Sequence, residues 1–220
     1  MTTTPAPVPT RASVSSVLRE RPVIAVLRAN DPCAYDAVVD VLVENGIRSI
    51  ELTLTTPGTL EHLSSLLERF TDAEIGVGTV TTVDEALCAI DAGAHYLVTP
   101  VLDTAVIRVA VEAGIPVYPG ALTPTEVFAA WQAGAAAVKI FPAETVGAQY
   151  GTHLRGPFPG IEFIPSGGVA LDDIPAWLQA GAAAVSLGGP LIGDALKGGS
   201  LEALANRCRR VVAIVEQEAR

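Results

Sequence analysis

Short apolar runs alternate along the chain with longer segments whose apolar positions recur every three or four residues. Val23-Ile24-Ala25-Val26-Leu27-Arg28 is an apolar burst closing on a charge. Behind it, Pro32 to Asn45 carries Ala34, Ala37, Val38, Val41 and Leu42 at helical spacing. The couple then repeats. Ser49 to Leu54 is followed by a helix from Pro57 to about Phe70, Ile75 to Thr79 by Val83 to Ala92, and Tyr96 to Thr99 by Asp103 to Ala113. Val117 to Pro119 precedes Pro124 to Ala133, and Ala137 to Phe141 precedes a helix around Glu144 to Leu154. Ile161 to Pro165 precedes Asp172 to Ala180, and Ala184 to Leu187 leads to the last helices, ending with Leu201 to Glu218. Bursts of this kind suit strands buried on both faces. A short helix, Val14 to about Arg21 and capped by Ser13, is expected ahead of the first strand.

Five helices close on one mark: Asn45-Gly46, Ala92-Gly93, Ala113-Gly114, Ala133-Gly134 and Ala180-Gly181. Glycine there supplies the left-handed cap that turns a helix into the next strand. The glycines lie 47, 21, 20 and 47 residues apart, close to two, one, one and two units of a single βα repeat. Eight strands alternating with helices predict one α/β domain, a (β/α)8 TIM barrel over residues 13–220 behind a disordered tail of residues 1–12. A doubly wound open sheet is the alternative, lowered by the lack of a GxGxxG at the first helix.

A length of 220 residues suits one large domain or two small ones. Half the residues are apolar and the mean hydropathy is +0.42, yet no uninterrupted apolar run reaches the roughly 18 residues of a membrane span. A net charge of -10 without any basic cluster argues against a nucleic-acid partner. Cys33, Cys88 and Cys208 are scattered and lack CxxC spacing, which suggests reduced core thiols in a cytoplasmic protein. Residues 1–10 do not have the pattern of a signal peptide.

The chemistry concentrates at strand ends. Side chains alternate along a strand, so if Val138 and Ile140 pack outward, Lys139 faces inward with Ala137 and Phe141. A buried ammonium is costly; such a lysine finds a partner or sheds its proton and becomes a nucleophile toward carbonyls. Glu51 sits between Ser49 and Thr53 on one face of the second strand, where barrel filling would favour branched aliphatics. It either neutralises Lys139 or Arg28, or serves as a general acid/base. Arg28 closes the first strand with a fork suited to a carboxylate. Gly76-Val77-Gly78-Thr79 leaves room for a ligand and offers a hydroxyl, while Pro100 and Pro119-Gly120 shape loops. Ser166-Gly167-Gly168 and Gly188-Gly189 end the last two strands, where barrels of this type recurrently bind phosphate. No HxH, HExxH or GxSxG is present, so neither metal-assisted hydrolysis nor a serine nucleophile is expected.

Ala25-Val26-Leu27-Arg28, Ile50-Glu51-Leu52-Thr53, Gly76-Val77-Gly78-Thr79-Val80, Val98-Thr99-Pro100, Val138-Lys139-Ile140-Phe141-Pro142-Ala143-Glu144 and Pro165-Ser166-Gly167-Gly168-Val169 follow in order. Together they resemble the 2-keto-3-deoxy-6-phosphogluconate (KDPG) aldolase family. These class I aldolases are often grouped with 4-hydroxy-2-oxoglutarate aldolase. The likeness runs from about Val23 to Leu191. It implies that Lys139 forms a Schiff base with pyruvate and that Glu51 shuttles protons through a water. Arg28 and Thr79 would hold the carboxylate end, and Pro100 and Phe141 would wall the pocket. Gly167, Gly168 and Gly188, beside Ser166 and Gly189, would hold the distal phosphate. The resemblance further implies a homotrimer that uses no metal or other cofactor, with glyceraldehyde 3-phosphate or glyoxylate as the second product.

The chain also departs from the family pattern. Some members carry an arginine four residues after the glutamate; here Thr55 stands there, and Arg28 supplies the charge. The last loop often carries a serine, but here reads Gly189-Pro190, so a reduced preference for phosphorylated substrate over 4-hydroxy-2-oxoglutarate is expected. Ser166 resembles the threonine usual in the gluconate-specific branch more than the apolar residue common in the galactonate-specific one. Two other readings stand beside the aldolase: a phosphate-binding barrel isomerase or synthase with no imine, and a non-catalytic phosphosugar-binding module.

Overall fold

The computed structural model describes residues 11–218. Within them the strands are β1 (Val23–Leu27), β2 (Ser49–Thr53), β3 (Glu74–Gly78), β4 (Leu97–Val98), β5 (Val117–Tyr118), β6 (Gly120–Ala121), β7 (Val138–Ile140), β8 (Phe163–Pro165) and β9 (Val185–Leu187). The helices are α1 (Ser16–Glu20), α2 (Tyr35–Glu44), α3 (Thr59–Arg69), α4 (Val83–Asp91), α5 (Thr104–Glu112), α6 (Pro124–Ala133), α7 (Gln149–Arg155), α8 (Ile174–Gln179), α9 (Gly189–Ile192) and α10 (Leu201–Glu218). All the strand pairings are parallel, in the orders β5-β4-β3-β2-β1-β9 and β6-β7-β8.

The expected fifth strand is divided at Pro119, which has no N–H to give to a ladder. Val117-Tyr118 pair with β4 and Gly120-Ala121 with β7, so the break is where the two sheets meet. Lys139 N–H donates to the Pro119 carbonyl at 2.9 Å across this seam. On the other side, a bridge between Ser166 and Ser186, and Ala183 N–H to Phe163 O at 2.9 Å, tie β8 to β9. The result is a curled parallel α/β structure.

Alternation along the strands builds two apolar clusters. Val23, Ala25, Leu27, Val138 and Ile140 pack outward with the helices. Ile24, Tyr96, Tyr118, Ala137 and Ile164 pack inward, joined by Val14 and Leu18. The N-terminal segment therefore covers the interior near the N-terminal ends of the strands. Its cap is Ser15 rather than Ser13, the Ser15 Oγ accepting from Leu18 N–H at 3.0 Å.

Several expectations are corrected. The helix expected from Glu144 is a 3-10 turn, Ala143–Thr145, followed by α7, with Gly147 between them at φ 68°. Cys208 is buried, but Cys33 and Cys88 are exposed: Cys33 lies in the turn that Asp31 caps, and Cys88 is on the outer side of α4. Of the tail expected over residues 1–12, residues 1–10 lie outside the described part. Arg11 lays its guanidinium 3.4 Å from the Trp131 ring centre and donates to the Trp131 carbonyl. The five helix-ending glycines do hold left-handed φ values, from 72° at Gly114 to 109° at Gly134. Among the described residues, no helix is long and apolar enough to cross a membrane.

Candidate active site

Lys139 is the middle residue of β7, and its outward neighbours force it into the interior, where it is 8% exposed. Its Nζ lies 5.0 Å from the Phe141 ring centre, against the face that attracts a cation. Among the described residues, no ion pair within 4.0 Å involves Lys139. The purely structural reading of a lysine paired to a neighbouring carboxylate thus lacks its partner.

Glu51 occupies β2 between Val26 of β1 and Gly76 of β3, and is 1% exposed. Its seat is made by a missing side chain: a Cβ on Gly78 would lie 1.9 Å from the Glu51 Oε1. The Oε2 is buried without a hydrogen-bond partner among the described residues. Burial pushes the Glu51 carboxyl above its ordinary range, and the charges of Lys139 and Arg28 only partly oppose that rise. A carboxyl poised this way can both hold and release a proton closer to neutrality.

The surrounding turns are individually fixed. The Thr56 hydroxyl donates to Ala29 O at 3.0 Å and accepts from Ala29 N–H at 2.9 Å, pinning the turn that carries the exposed Arg28. Thr79 closes β3 at φ 61°, a left-handed conformation that a β-branched residue adopts only under strain. Gly167 and Gly168 are also left-handed, at φ 85° and 77°. A Cβ on Gly167 would crowd the Phe141 ring at 2.9 Å, and one on Gly168 would meet the Glu144 carboxylate at 2.1 Å. Ser166 and Ser186, both buried, join by their hydroxyls at 3.3 Å.

One cavity of about 420 Å³ collects these groups. Every residue expected at the site from the sequence lines it: the lysine, glutamate, arginine and threonine just described, Pro100 and Phe141 as walls, and Ser166, Gly167, Gly168, Gly188 and Gly189 at the far side. Val26, Ser186 and Lys197 line it as well and were not foreseen. Strand alternation through Ala184, Ser186 and Gly188 contained the signal for Ser186. Lys197 had none, because it follows the last strand in a glycine-rich turn without periodicity. Among the described residues, no group of three or more His, Cys, Asp or Glu side chains is placed to hold a metal ion.

Fold and cavity together describe an α/β enzyme whose site opens at the C-terminal ends of parallel strands. The chain belongs to the KDPG and KHG aldolase family, whose model matches residues 14–206. It is 36% identical over 172 residues to 2-dehydro-3-deoxy-6-phosphogalactonate aldolase of Escherichia coli strain K12, covering 77% of this chain and 84% of that relative. It is 31% identical over 205 residues to 2-dehydro-3-deoxy-phosphogluconate aldolase of Dickeya dadantii, covering 92% and 96%. The native KDPGal structure superposes with a TM-score of 0.84 at 33% identity, over 90% of this chain and 96% of that one. The protein is an aldolase, and hence a lyase.

Proposed function

We propose that the protein is a class I aldolase that cleaves 2-keto-3-deoxy-6-phosphogluconate to pyruvate and glyceraldehyde 3-phosphate, and 4-hydroxy-2-oxoglutarate, less readily, to pyruvate and glyoxylate. The observation that carries this reading is a buried lysine that, among the described residues, has no ion-pair partner, sharing one cavity with a buried carboxylate oxygen that among them has no hydrogen-bond partner. Lys139 Nζ attacks the 2-keto carbon, and loss of water gives an iminium that draws electrons from the C3–C4 bond. Glu51, through a water, takes the proton of the C4 hydroxyl. The bond breaks, the aldehyde leaves, and the enamine is reprotonated at C3 before hydrolysis frees pyruvate. Arg28 and Thr79 hold the carboxylate, Pro100 and Phe141 wall the keto acid, and Ser166 with Gly167, Gly168, Gly188 and Gly189 receives the distal phosphate. No metal or other cofactor takes part.

A second substrate reading has its own support. The galactonate relative is more similar to this chain than the gluconate relative is, at 36% against 31% identity. Ser166, with a hydroxyl where an apolar residue would suit the galactonate branch, favours the gluconate epimer. Comparing kcat/KM for the two epimers decides between them. The two seams, at Pro119 and between Ser166 and Ser186, support a single closed (β/α)8 barrel over residues 13–220. With it goes a homotrimer in the cytoplasm.

The chemistry is tested by incubating the protein with pyruvate and borohydride. One reduced adduct per chain is expected, mapping by peptide mass to Lys139 and unaffected by chelator. Lys139→Arg should abolish both adduct and cleavage, because a guanidinium stays protonated. No adduct on a folded, cleaving preparation would overturn the imine.

A further inference from the structure

Beyond β9 the chain passes through Gly188 and α9 into a 3-10 turn, Ala195–Lys197, and Lys197 lines the same cavity as Gly167, Gly168, Gly188 and Gly189. The chain carries a net charge of -10, yet this cavity is lined by three cations, Arg28, Lys139 and Lys197, against one carboxylate, Glu51. On the aldolase reading, Arg28 answers the substrate carboxylate and Lys139 the keto carbon. Lys197 is the remaining charge. It lies at the end where Pro190, lacking an N–H, withholds a donor that an anion would use.

The turn that carries this lysine is fixed by its own backbone. Lys197 N–H and Gly199 N–H both donate to Asp194 O, at 2.8 and 3.0 Å, and Gly198 turns the chain in a left-handed conformation at φ 81°. The nearby acid does not quench the ammonium. Asp194 packs its carboxylate against Gly199, where a Cβ would lie 2.1 Å from Cγ, and among the described residues Lys197 enters no ion pair within 4.0 Å. From behind, Arg207 of α10 donates to Ile192 O at 2.8 Å and holds the segment leading into the turn.

We propose that Lys197 is the specificity residue for the substrate's phosphate. Its ammonium closes over the dianion from the cavity rim and makes up for the N–H that Pro190 lacks, beside the backbone donors of the neighbouring glycines. The inference rests on the aldolase reading and deepens it. The exposed side chain loses little hydration in waiting for the ligand, and its flexible stem lets a compact charge follow the phosphate. Preference for phosphorylated substrate is then carried by charge rather than by a preformed hydroxyl cradle, and salt weakens it.

The test compares kcat/KM for the phosphorylated six-carbon keto acid and for the same acid without its phosphate, in wild type, Lys197→Met and Lys197→Arg. Lys197→Met should lose roughly tenfold or more on the phosphorylated compound, the scale of one charge-assisted hydrogen bond, and change less than about twofold on the other. Lys197→Arg should recover most of the loss, and added salt should erode the preference of wild type but not of Lys197→Met. Pyruvate–borohydride labelling of all three proteins controls for folding. Equal loss on both compounds, no loss on the phosphorylated one, or an arginine variant no better than methionine would overturn the assignment. If wild type labels and cleaves while Lys197→Met is neutral, the aldolase reading stands and only the phosphate role falls. Absence of any adduct on wild type removes both.

Discussion

The strands that build the interior end in opposite ways. Near their N-terminal ends they present Ile24, Tyr96, Tyr118 and Ala137, with the tyrosine rings 5.3 Å apart and Val14 and Leu18 laid across them. Toward the C-terminal ends of the strands the interior presents Lys139, Glu51, Arg28 and Thr79 around open space. One end is filled with apolar surface, and its burial stabilises the fold. The other holds a buried carboxyl whose charged form is disfavoured and a threonine in a strained conformation, features that cost stability and persist where geometry serves a reaction. Substitutions at the two ends should therefore fail in different ways.

The largest expected contrast is Glu51→Gln. Imine formation with pyruvate should persist, whereas cleavage slows by roughly 10²–10⁴, the range of general acid–base catalysis. Unchanged turnover would reduce Glu51 to a counter-ion. Leu18→Ala is the counterpart at the filled end. Removing a fully buried leucine should cost about 2–5 kcal/mol in urea unfolding while kcat/KM per folded molecule holds steady. A loss of activity with stability intact would dissolve the comparison.

Thr79→Gly reverses the sign of the stability effect. Relief of the left-handed threonine, worth about 1–3 kcal/mol, outweighs the roughly 0.5–1 kcal/mol of backbone entropy that glycine costs, for a net gain of about 1 kcal/mol, and the lost hydroxyl should raise KM for the keto acid. A variant less stable by the full entropic cost of glycine, roughly 0.5–1 kcal/mol, would show that the φ of Thr79 carries no strain. The smallest effect is a pH dependence. The Glu51 carboxyl titrates above its ordinary value of 4.5 in the folded chain, so on raising the pH the unfolded chain releases this proton first. The stability associated with Glu51 is complete below that value and is lost as pH rises through the folded pKa. Glu51→Gln, which cannot ionise, should gain in melting temperature on wild type from acid toward neutral pH. A gap independent of pH would contradict the raised pKa.

Which of these features the sequence disclosed follows from the range of the interactions involved. Period-two alternation is local, so Val138-Lys139-Ile140 alone foretold which side chain enters the interior, and Ser49-Glu51-Thr53 did the same for the carboxylate. The left-handed glycines after helices are local too. Pairing between sheets is not: nothing in Val117 to Ala121 says that its two halves bond to different neighbours across Pro119. Exposure of Cys88 depends on which face of α4 meets the strands, and that of Cys33 on where its turn sits. Lys197 is placed by contacts distant in sequence: Arg207, near the far end of the chain, bonds to Ile192 O in the segment before it.

The glycines of β3 carry a further consequence. Tyr96 and Glu51 occupy room that Gly76 and Gly78 vacate, with hypothetical Cβ atoms only 2.3 and 1.9 Å from them. The permitted size at position 78 is thus a joint property with position 51, and variation at the two sites should be correlated rather than independent. In a combinatorial library, alanine at 78 should survive selection for folding chiefly beside residues shorter than glutamate at 51. Any attempt to enlarge the cavity by trimming Glu51 would also relieve the clash that keeps position 78 on the neighbouring strand a glycine.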